Sequence, residues 1–202
     1  MLIYILCEDS LSKVIIEKMI KHVFPDLNLT LSHFVRLEGK SYIQKKINDI
    51  NNLSIPQPFF ILVDMDKESC APQLIKQWLK RPCRDNLLFR IAVHELEAWL
   101  LADVDGFSHF LQMDYSFINQ EIQNPDEIRN PKEKLISLVD RSRKRELKND
   151  MVNKYQTYFR QGSGYNTRLI EFVLSLWNIE RAAKKSESLN RSLKALRNWK
   201  LK

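Results

Sequence analysis

Glycine is scarce in this sequence, with only 4 glycines among 202 residues. This scarcity excludes collagen-like repeats and glycine-rich flexible linkers. No stretch approaches the roughly 18 to 20 consecutive apolar residues of a membrane-spanning helix, so we expect no membrane association. The three cysteines, Cys7, Cys70 and Cys83, have neither close pairing nor metal-ligand spacing. They predict free thiols and a cytoplasmic location.

The sequence also lacks the motifs of several enzyme classes. It contains no G-x-G-x-x-G, no P-loop, no G-x-S-x-G and no H-E-x-x-H motif. The four histidines are scattered, and His94 lies in His-Glu-Leu-Glu without the second histidine of a zinc peptidase. Dinucleotide binding, ATP binding, serine hydrolysis and zinc chemistry therefore have little support.

Charge is unevenly distributed along the chain, whose formal net charge is +7. Residues 1–128 carry 13 Lys/Arg and 18 Asp/Glu, a net charge of −5. Residues 129–202 carry 19 Lys/Arg and 7 Asp/Glu, a net charge of +12. This asymmetry fits a protein that binds metal cations at one place and polyanions at another. Helices with solvated basic faces would give the same asymmetry, and charge alone does not separate the two interpretations.

Apolar runs alternate with helical periodicity over the first hundred residues. Continuous runs at Leu2–Cys7 and Phe59–Val63 predict strands covered on both faces, and Leu87–Val93 predicts a further strand. The alternating segment Leu29–Leu37 predicts a strand with one more exposed face. Because helix-spaced apolar residues separate these runs, we expect an α/β fold with a mostly parallel sheet flanked by helices.

Strand signals stop after Asp105, and the rest of the chain predicts helices only. We expect these helices over residues 107–123, 131–148, 166–178 and 186–199. The predicted organisation is an α/β domain over residues 1–105, with a basic, all-helical region over 106–202 packed on it. In the first domain, Ser10 or Ser12 is the expected N-cap of the first helix.

Carboxylates directly follow three of the predicted strands. They are Glu8 and Asp9, Asp64 and Asp66, and Glu95 and Glu97. Ligands of parallel sheets bind at the carboxyl ends of the strands, and clustered carboxylates repel one another unless a cation is bound. The pattern therefore predicts a site for one or two Mg²⁺ or Mn²⁺ ions. Capping of the following helices is the alternative interpretation, because acidic residues are favoured at helix N-termini.

Basic and aromatic residues are interleaved in the second region. The candidate nucleic-acid-binding residues are Arg141, Arg143, Lys144, Arg145, Lys148, Arg160 and Arg168, with Tyr155, Tyr158, Phe159 and Tyr165 nearby. Cations beside aromatic rings suit contact with sugar-phosphate and stacking on unpaired bases. Core tyrosines and a merely solvated basic cluster are the alternative.

A strand ending in Glu, a βα repeat and a strand ending in Asp-x-Asp resemble the Toprim domain over residues 1–105. Toprim domains occur in topoisomerases, bacterial primases and nucleases of the overcoming-lysogenisation-defect type. The segments FFILVDMDKESC, RIAVHELEAWLLAD and NPKEKL are similar to a bacterial Toprim-like family, a domain of unknown function. The resemblance implies a Toprim-like fold, with Glu8 as general acid/base and Asp64 and Asp66 as metal ligands.

The same resemblance implies further site residues and a function. Glu95 and Glu97 are the candidates for a second metal ion, and Lys132 is the candidate for neutralising the transition state. The implied function is a metal-dependent nuclease acting on DNA or RNA. Proteins of this kind resemble the nuclease half of bacterial defence systems in which a separate chain is the ATPase. Two residues depart from the Toprim pattern: Asp9 replaces a glycine, and Ser12 replaces an aspartate. These departures favour the alternative, a non-catalytic nucleic-acid-binding or regulatory partner of an ATPase.

Overall fold

The computed structural model of the chain describes residues 1–33, 39–66, 68, 70–154 and 159–201. Its strands are β1 (Leu2–Leu6), β2 (Thr30–His33), β3 (Phe59–Asp64), β4 (Leu87–Ala92), β5 (Val152–Lys154) and β6 (Phe159–Gln161). Its helices are α1 (Ser10–Val23), α2 (Lys40–Asn51), α3 (Ala71–Trp78), α4 (Leu96–Leu101), α5 (Val104–Leu111), α6 (Tyr115–Glu121), α7 (Pro131–Asp140), α8 (Arg145–Met151), α9 (Tyr165–Ser175), α10 (Ile179–Lys185) and α11 (Glu187–Arg197). Within the described residues, no helix is long and apolar enough to cross a membrane.

The chain divides into two compact units. The first unit comprises Met1–Val93 and Arg191–Lys202, and the second comprises His94–Asn190. The division follows Val93, whereas the sequence places it after residue 105. The last residues of the chain belong to the first unit and not to the basic region that precedes them.

Four parallel strands form the sheet of the first unit, in the order β2-β1-β3-β4. The predicted mixed α/β architecture is confirmed, and the first apolar run pairs directly with the FFILV run. Because these strands run in the same direction, β1, β3 and β4 all end at one edge of the sheet, which we call the carboxyl edge.

Strand β3 is apolar from Phe59 to Val63, and both of its faces are covered there. Its alternate residues point to opposite faces, as in any strand. On one face, Phe59 and Ile61 belong to a buried core that includes Trp78 of α3. On the other face, the Phe60 ring centroid lies 6.2 Å from that of Trp199. This packing fixes the position of the residues that follow β3.

Helix α1 is capped by Asp9, and the prediction of Ser10 or Ser12 as its cap is wrong. The Asp9 carboxylate accepts hydrogen bonds from the Ser12 backbone N–H at 2.8 Å and from the Ser12 hydroxyl at 2.7 Å. Asp9 has the extended backbone that an N-cap requires, with φ of −149°. Ser10 is already helical, and Ser12 serves as the donor.

The prediction that the second region contains only helices is also wrong. Strands β5 and β6 pair antiparallel in a two-stranded sheet. Each strand has three residues, which is too short for alternation of apolar and polar residues to be recognised. Two expected helices are each divided in two, α5 with α6 and α7 with α8, and α10 was not expected. Of the expected strand Leu29–Leu37, β2 is confirmed, and residues 34–37 lie outside the described residues.

Candidate functional site

Glu8 connects the ends of two neighbouring strands at the carboxyl edge. It lies two residues beyond β1, and its Oε1 accepts a hydrogen bond from the backbone N–H of Asp64 at 2.9 Å. Burial raises the pKa of the Glu8 carboxyl, and the charges of Asp66 and Asp9 act in the same direction. The Asp64 N–H and the Lys40 ammonium oppose this rise in pKa. A carboxyl group with a raised pKa in this position is suited to take up and release a proton.

Asp64 and Asp66 lie at the same edge as Glu8. Asp64 is the last residue of β3, and Asp66 follows in the left-handed backbone region, with φ of 55°. Aspartate tolerates this conformation better than most residues, but it still costs free energy that the surrounding structure must supply. Lys40 Nζ lies 2.6 Å from Asp66 Oδ2 and donates to the Met65 carbonyl at 3.3 Å. Among the described residues, the Lys40 ammonium thus lies close to the carboxylates of this edge.

The two departures from the Toprim pattern both have a structural role in the cap of α1. Asp9 and Ser12 bond to each other through the two contacts described above. The capping interpretation of the acidic pattern is therefore correct for Asp9. Its carboxylate acts on Glu8 only through its charge.

The donor chemistry of the carboxyl edge fits a hard divalent cation. Within the described residues, no group of three or more His, Cys, Asp or Glu side chains is arranged to hold a metal ion. Mg²⁺, however, is usually held by one or two carboxylates, with water and substrate phosphate completing its octahedron. The negative charges of Asp66 and Asp9 repel the Glu8 carboxylate, and a bound cation would reduce this repulsion.

The remaining predicted acidic residues surround Lys132 in the second unit. Glu95 Oε2 accepts a hydrogen bond from the Lys132 backbone N–H at 2.9 Å. Lys132 Nζ lies 3.5 Å from Glu97 Oε1, and the Tyr165 hydroxyl donates to the same oxygen at 3.0 Å. Burial raises the pKa of the Glu97 carboxyl, and Lys132 opposes this rise. The structure therefore brings together Glu95, Glu97 and Lys132, which the sequence singled out separately.

The aromatic residues proposed for base stacking have different environments. Tyr165 is fully buried, so the prediction that its ring stacks on bases is wrong and the core alternative is correct. Phe159 on β6 is 45% exposed. Tyr155 and Tyr158 lie outside the described residues.

Two of the predicted nucleic-acid-binding residues are already engaged in ion pairs. Arg141 lies 3.1 Å from Glu121. Arg168 lies 2.7 Å from Asp150 and 2.8 Å from Glu171. Partnered guanidinium groups have less charge available for phosphate, so these two arginines are weaker candidates than the sequence indicates.

Three of the other basic residues are more available. Arg143 and Arg145 are exposed and Lys148 is half-buried. Among the described residues, no side-chain hydrogen bond or ion pair engages any of these three. Lys144 Nζ lies 5.9 Å from the centroid of the Phe110 ring, and Arg160 lies on the exposed strand β6. The available positive charge is therefore concentrated between positions 143 and 148.

Comparison with protein-family models gives one match, to a domain of unknown function, DUF4276, over residues 7–196. The chain belongs to the DUF4276 family. No curated protein and no solved structure matches it. Membership confirms the expected relationship to a domain of unknown function, and it carries no link to Toprim proteins.

Two contacts of the candidate acidic residues in this DUF4276 protein, Lys40 with Asp66 and Tyr165 with Glu97, are not predicted by the sequence. Lys40 is 26 positions from Asp66, and Tyr165 is 68 positions from Glu97. Neither belongs to a motif, and each reaches its carboxylate through tertiary packing. Only the structure could identify them.

Proposed function

We propose that this DUF4276 protein is a Toprim-like, metal-dependent phosphodiesterase that cleaves DNA or RNA. One observation carries the proposal: the Glu8 carboxyl, whose pKa is raised, is hydrogen-bonded to Asp64 at the end of the adjacent parallel strand. A proton-exchanging group beside metal-binding carboxylates is what hydrolysis of a phosphodiester requires.

Each residue of the carboxyl edge has a distinct role in this proposal. Asp64 and Asp66 would hold Mg²⁺ or Mn²⁺, which when bound supplies charge neutralisation and an activated water. Oε1 of Glu8 is engaged by the Asp64 N–H. Oε2 therefore accepts the proton of the attacking water or returns one to the leaving oxygen. Lys40 limits the repulsion among the carboxylates before substrate binds.

The group formed by Glu95, Glu97 and Lys132 is assigned two further roles, binding of a second metal ion and charge neutralisation. Glu95 and Glu97 are the proposed ligands of a second ion, and Lys132 neutralises charge that develops on the phosphate. The Lys132 ammonium and the Tyr165 hydroxyl both favour the ionised form of Glu97, against the effect of its burial. An ionised carboxylate is the form that binds a cation.

The proposal is tested by cleavage of end-labelled DNA and RNA with Mn²⁺, Mg²⁺ or EDTA. We expect cleavage only with a divalent ion, and we expect Asp64→Asn combined with Asp66→Asn to abolish it. Glu8→Gln keeps the acceptor for the Asp64 N–H but cannot take up a proton. We therefore expect it to slow cleavage by about 10²- to 10⁴-fold. Glu68→Gln, which removes an exposed carboxylate of the same segment, is the matched control.

Cleavage that survives the double substitution would contradict this mechanism. A parent protein that binds Mn²⁺ and nucleic acid but cleaves neither DNA nor RNA would instead support the non-catalytic alternative. Circular dichroism and thermal unfolding of each variant separate loss of chemistry from loss of structure.

A further inference from the structure

A cavity of about 550 Å³ lies beside the basic segment of the second unit. Its wall is apolar where the largely buried side chains of Phe110 of α5, Leu147 of α8 and Phe172 of α9 lie against it. Lys144 and Arg145 contribute positive charge, and Glu146 contributes negative charge. Its volume falls in the range of sites that hold a small organic group.

The charges around this cavity favour an anionic ligand. Arg168 and Glu171 both line it, but they neutralise each other across 2.8 Å. Arg145 makes no side-chain ion pair among the described residues, and the Lys144 ammonium lies over the Phe110 ring. With Glu146 set against Lys144 and Arg145, the cavity keeps a net positive charge beside its apolar wall.

A second, smaller cavity of about 220 Å³ repeats this combination. Phe117 supplies its aromatic surface, and Arg141 and Arg143 supply its cations beside the carboxylate of Asp114. Arg141 is also paired with Glu121, so Arg143 is the more available of the two cations. The Arg141 guanidinium carbon lies 5.5 Å from the centroid of the Phe117 ring. One short segment, 141–145, therefore provides the positive charge of two cavities, each with a phenylalanine in its lining.

We infer that this surface binds single-stranded nucleic acid, with an unpaired base in the larger cavity and adjacent phosphates on Arg143, Arg145 and Lys148. A single strand presents flat apolar bases alternating with anionic phosphates, which matches the alternation of aromatic and basic groups. Bases of a duplex are stacked and paired and cannot enter. The inference rests on the proposed function in one respect: it names single strands as the substrate class of the proposed phosphodiesterase. Binding itself requires no metal.

The first test compares binding of labelled oligo(dT) and of an oligo(dT)·oligo(dA) duplex of equal length, by fluorescence anisotropy in EDTA. We expect the full chain to bind the single strand at least about tenfold more tightly, the effect of about one inserted base. Arg143→Ala with Arg145→Ala should weaken binding and reduce the slope of log affinity against log salt by about 1.4, or about 0.7 per phosphate contact. Arg129→Ala with Lys184→Ala removes two exposed charges of the second unit that line neither cavity, and it should leave affinity and slope unchanged.

The second test fills the larger cavity without changing its charge. Ser175 lines the cavity and is exposed, so Ser175→Trp inserts an indole at its rim. We expect this variant to bind single strands as weakly as duplex while keeping the salt slope of the parent. Ser175→Ala is the control and should keep the preference of the parent.

Equal affinity of the parent for single strands and duplex overturns the inference, whether or not the cavity variant folds. A folded Ser175→Trp variant that keeps the single-strand preference also overturns it. The outcome is separable from the proposed function. A protein that prefers single strands but cleaves nothing upholds the inference and contradicts the phosphodiesterase. A protein that cleaves with Mn²⁺ but shows no strand preference supports the phosphodiesterase and overturns the inference.

Discussion

Asp103 shows how one buried carboxylate organises several parts of the second unit. Its side chain is fully buried. It accepts hydrogen bonds from the Gly106 N–H at 3.2 Å, from the Asn178 N–H at 2.7 Å and from Arg181 Nε at 2.7 Å. A buried charge is tolerated only when it is paired and hydrogen-bonded in this way. Asp103 is therefore a structural residue, although it ends the HELEAWLLAD segment that carries part of the Toprim resemblance.

Gly106 is the residue whose substitution most directly disturbs this arrangement. A Cβ atom at position 106 would lie 2.4 Å from Asp103 Oδ2, so the carboxylate would have to move. We expect Gly106→Ala to lower the free energy of unfolding by about 1–3 kcal/mol, although alanine is the better helix former by about 1 kcal/mol. Urea denaturation measures the change, with Ser175→Ala as a control on an exposed helix position. A Gly106→Ala variant at least as stable as the parent would contradict the assigned role.

Glu97 predicts a pH dependence whose sign follows from its raised pKa. Its folded-state pKa lies above that of the unfolded chain, so its contribution to stability is greatest at low pH. That contribution is lost as the pH rises through the folded-state pKa. Glu97→Gln carries no titrating charge and keeps an acceptor for Tyr165. In EDTA, we therefore expect the Tm of the variant relative to the parent to increase from pH 5 to pH 8. A constant difference across that range would show that Glu97 is ionised throughout.

The sequence predicts the acidic residues of the site better than the residues that contact them. Glu8, Asp64 and Asp66 could be placed at one edge because their positions depend only on where parallel strands end. Lys40 and Tyr165 reach their partners through packing between elements that are distant in sequence. Their roles have no sequence pattern that a single chain could show.

At the scale of elements, long apolar segments predict strands that the structure contains, whereas the shortest strands and helices are not predicted by the sequence. The mainly apolar segments at Leu2–Cys7, Phe59–Val63 and Leu87–Val93 all form strands in the structure. β5 and β6 have three residues each and α10 has seven, so their own residues carry little periodic signal. Elements of this length are stabilised mainly by tertiary contacts and not by intrinsic propensity. The all-helical prediction failed for that reason.

Helices α5 and α10 are joined by the ion pair of Asp103 and Arg181. Asp103 is the N-cap of α5, and Arg181 of α10 donates to it through Nε at 2.7 Å and Nη2 at 3.0 Å. Arg181→Gln should lower the free energy of unfolding by about 2 kcal/mol, because it leaves the buried carboxylate with fewer donors. Arg129→Gln, at an exposed position with no ion pair among the described residues, is the control and should change it by less than about 0.5 kcal/mol. Equal effects of the two substitutions would show that the pair contributes nothing.

At the scale of the whole molecule, the charge asymmetry of the sequence corresponds to two different surfaces. The carboxyl edge belongs to the first unit, and the basic segment with its two cavities belongs to the second unit. In the proposed function the first surface provides metal-dependent chemistry and the second provides affinity for the substrate. Both surfaces lie within the region that matches the DUF4276 family.

The central claim is that the carboxyl edge binds a divalent cation. Isothermal titration calorimetry of Mn²⁺ into protein cleared of metal with EDTA tests it most directly. We expect saturable binding by the parent and by Glu68→Gln, and loss of the binding at the carboxyl edge when Asp64→Asn and Asp66→Asn are combined. Bound Mn²⁺ should also raise the Tm of the parent by more than that of the double variant. A parent that binds no Mn²⁺, or a double variant that binds it as the parent does, would contradict the account.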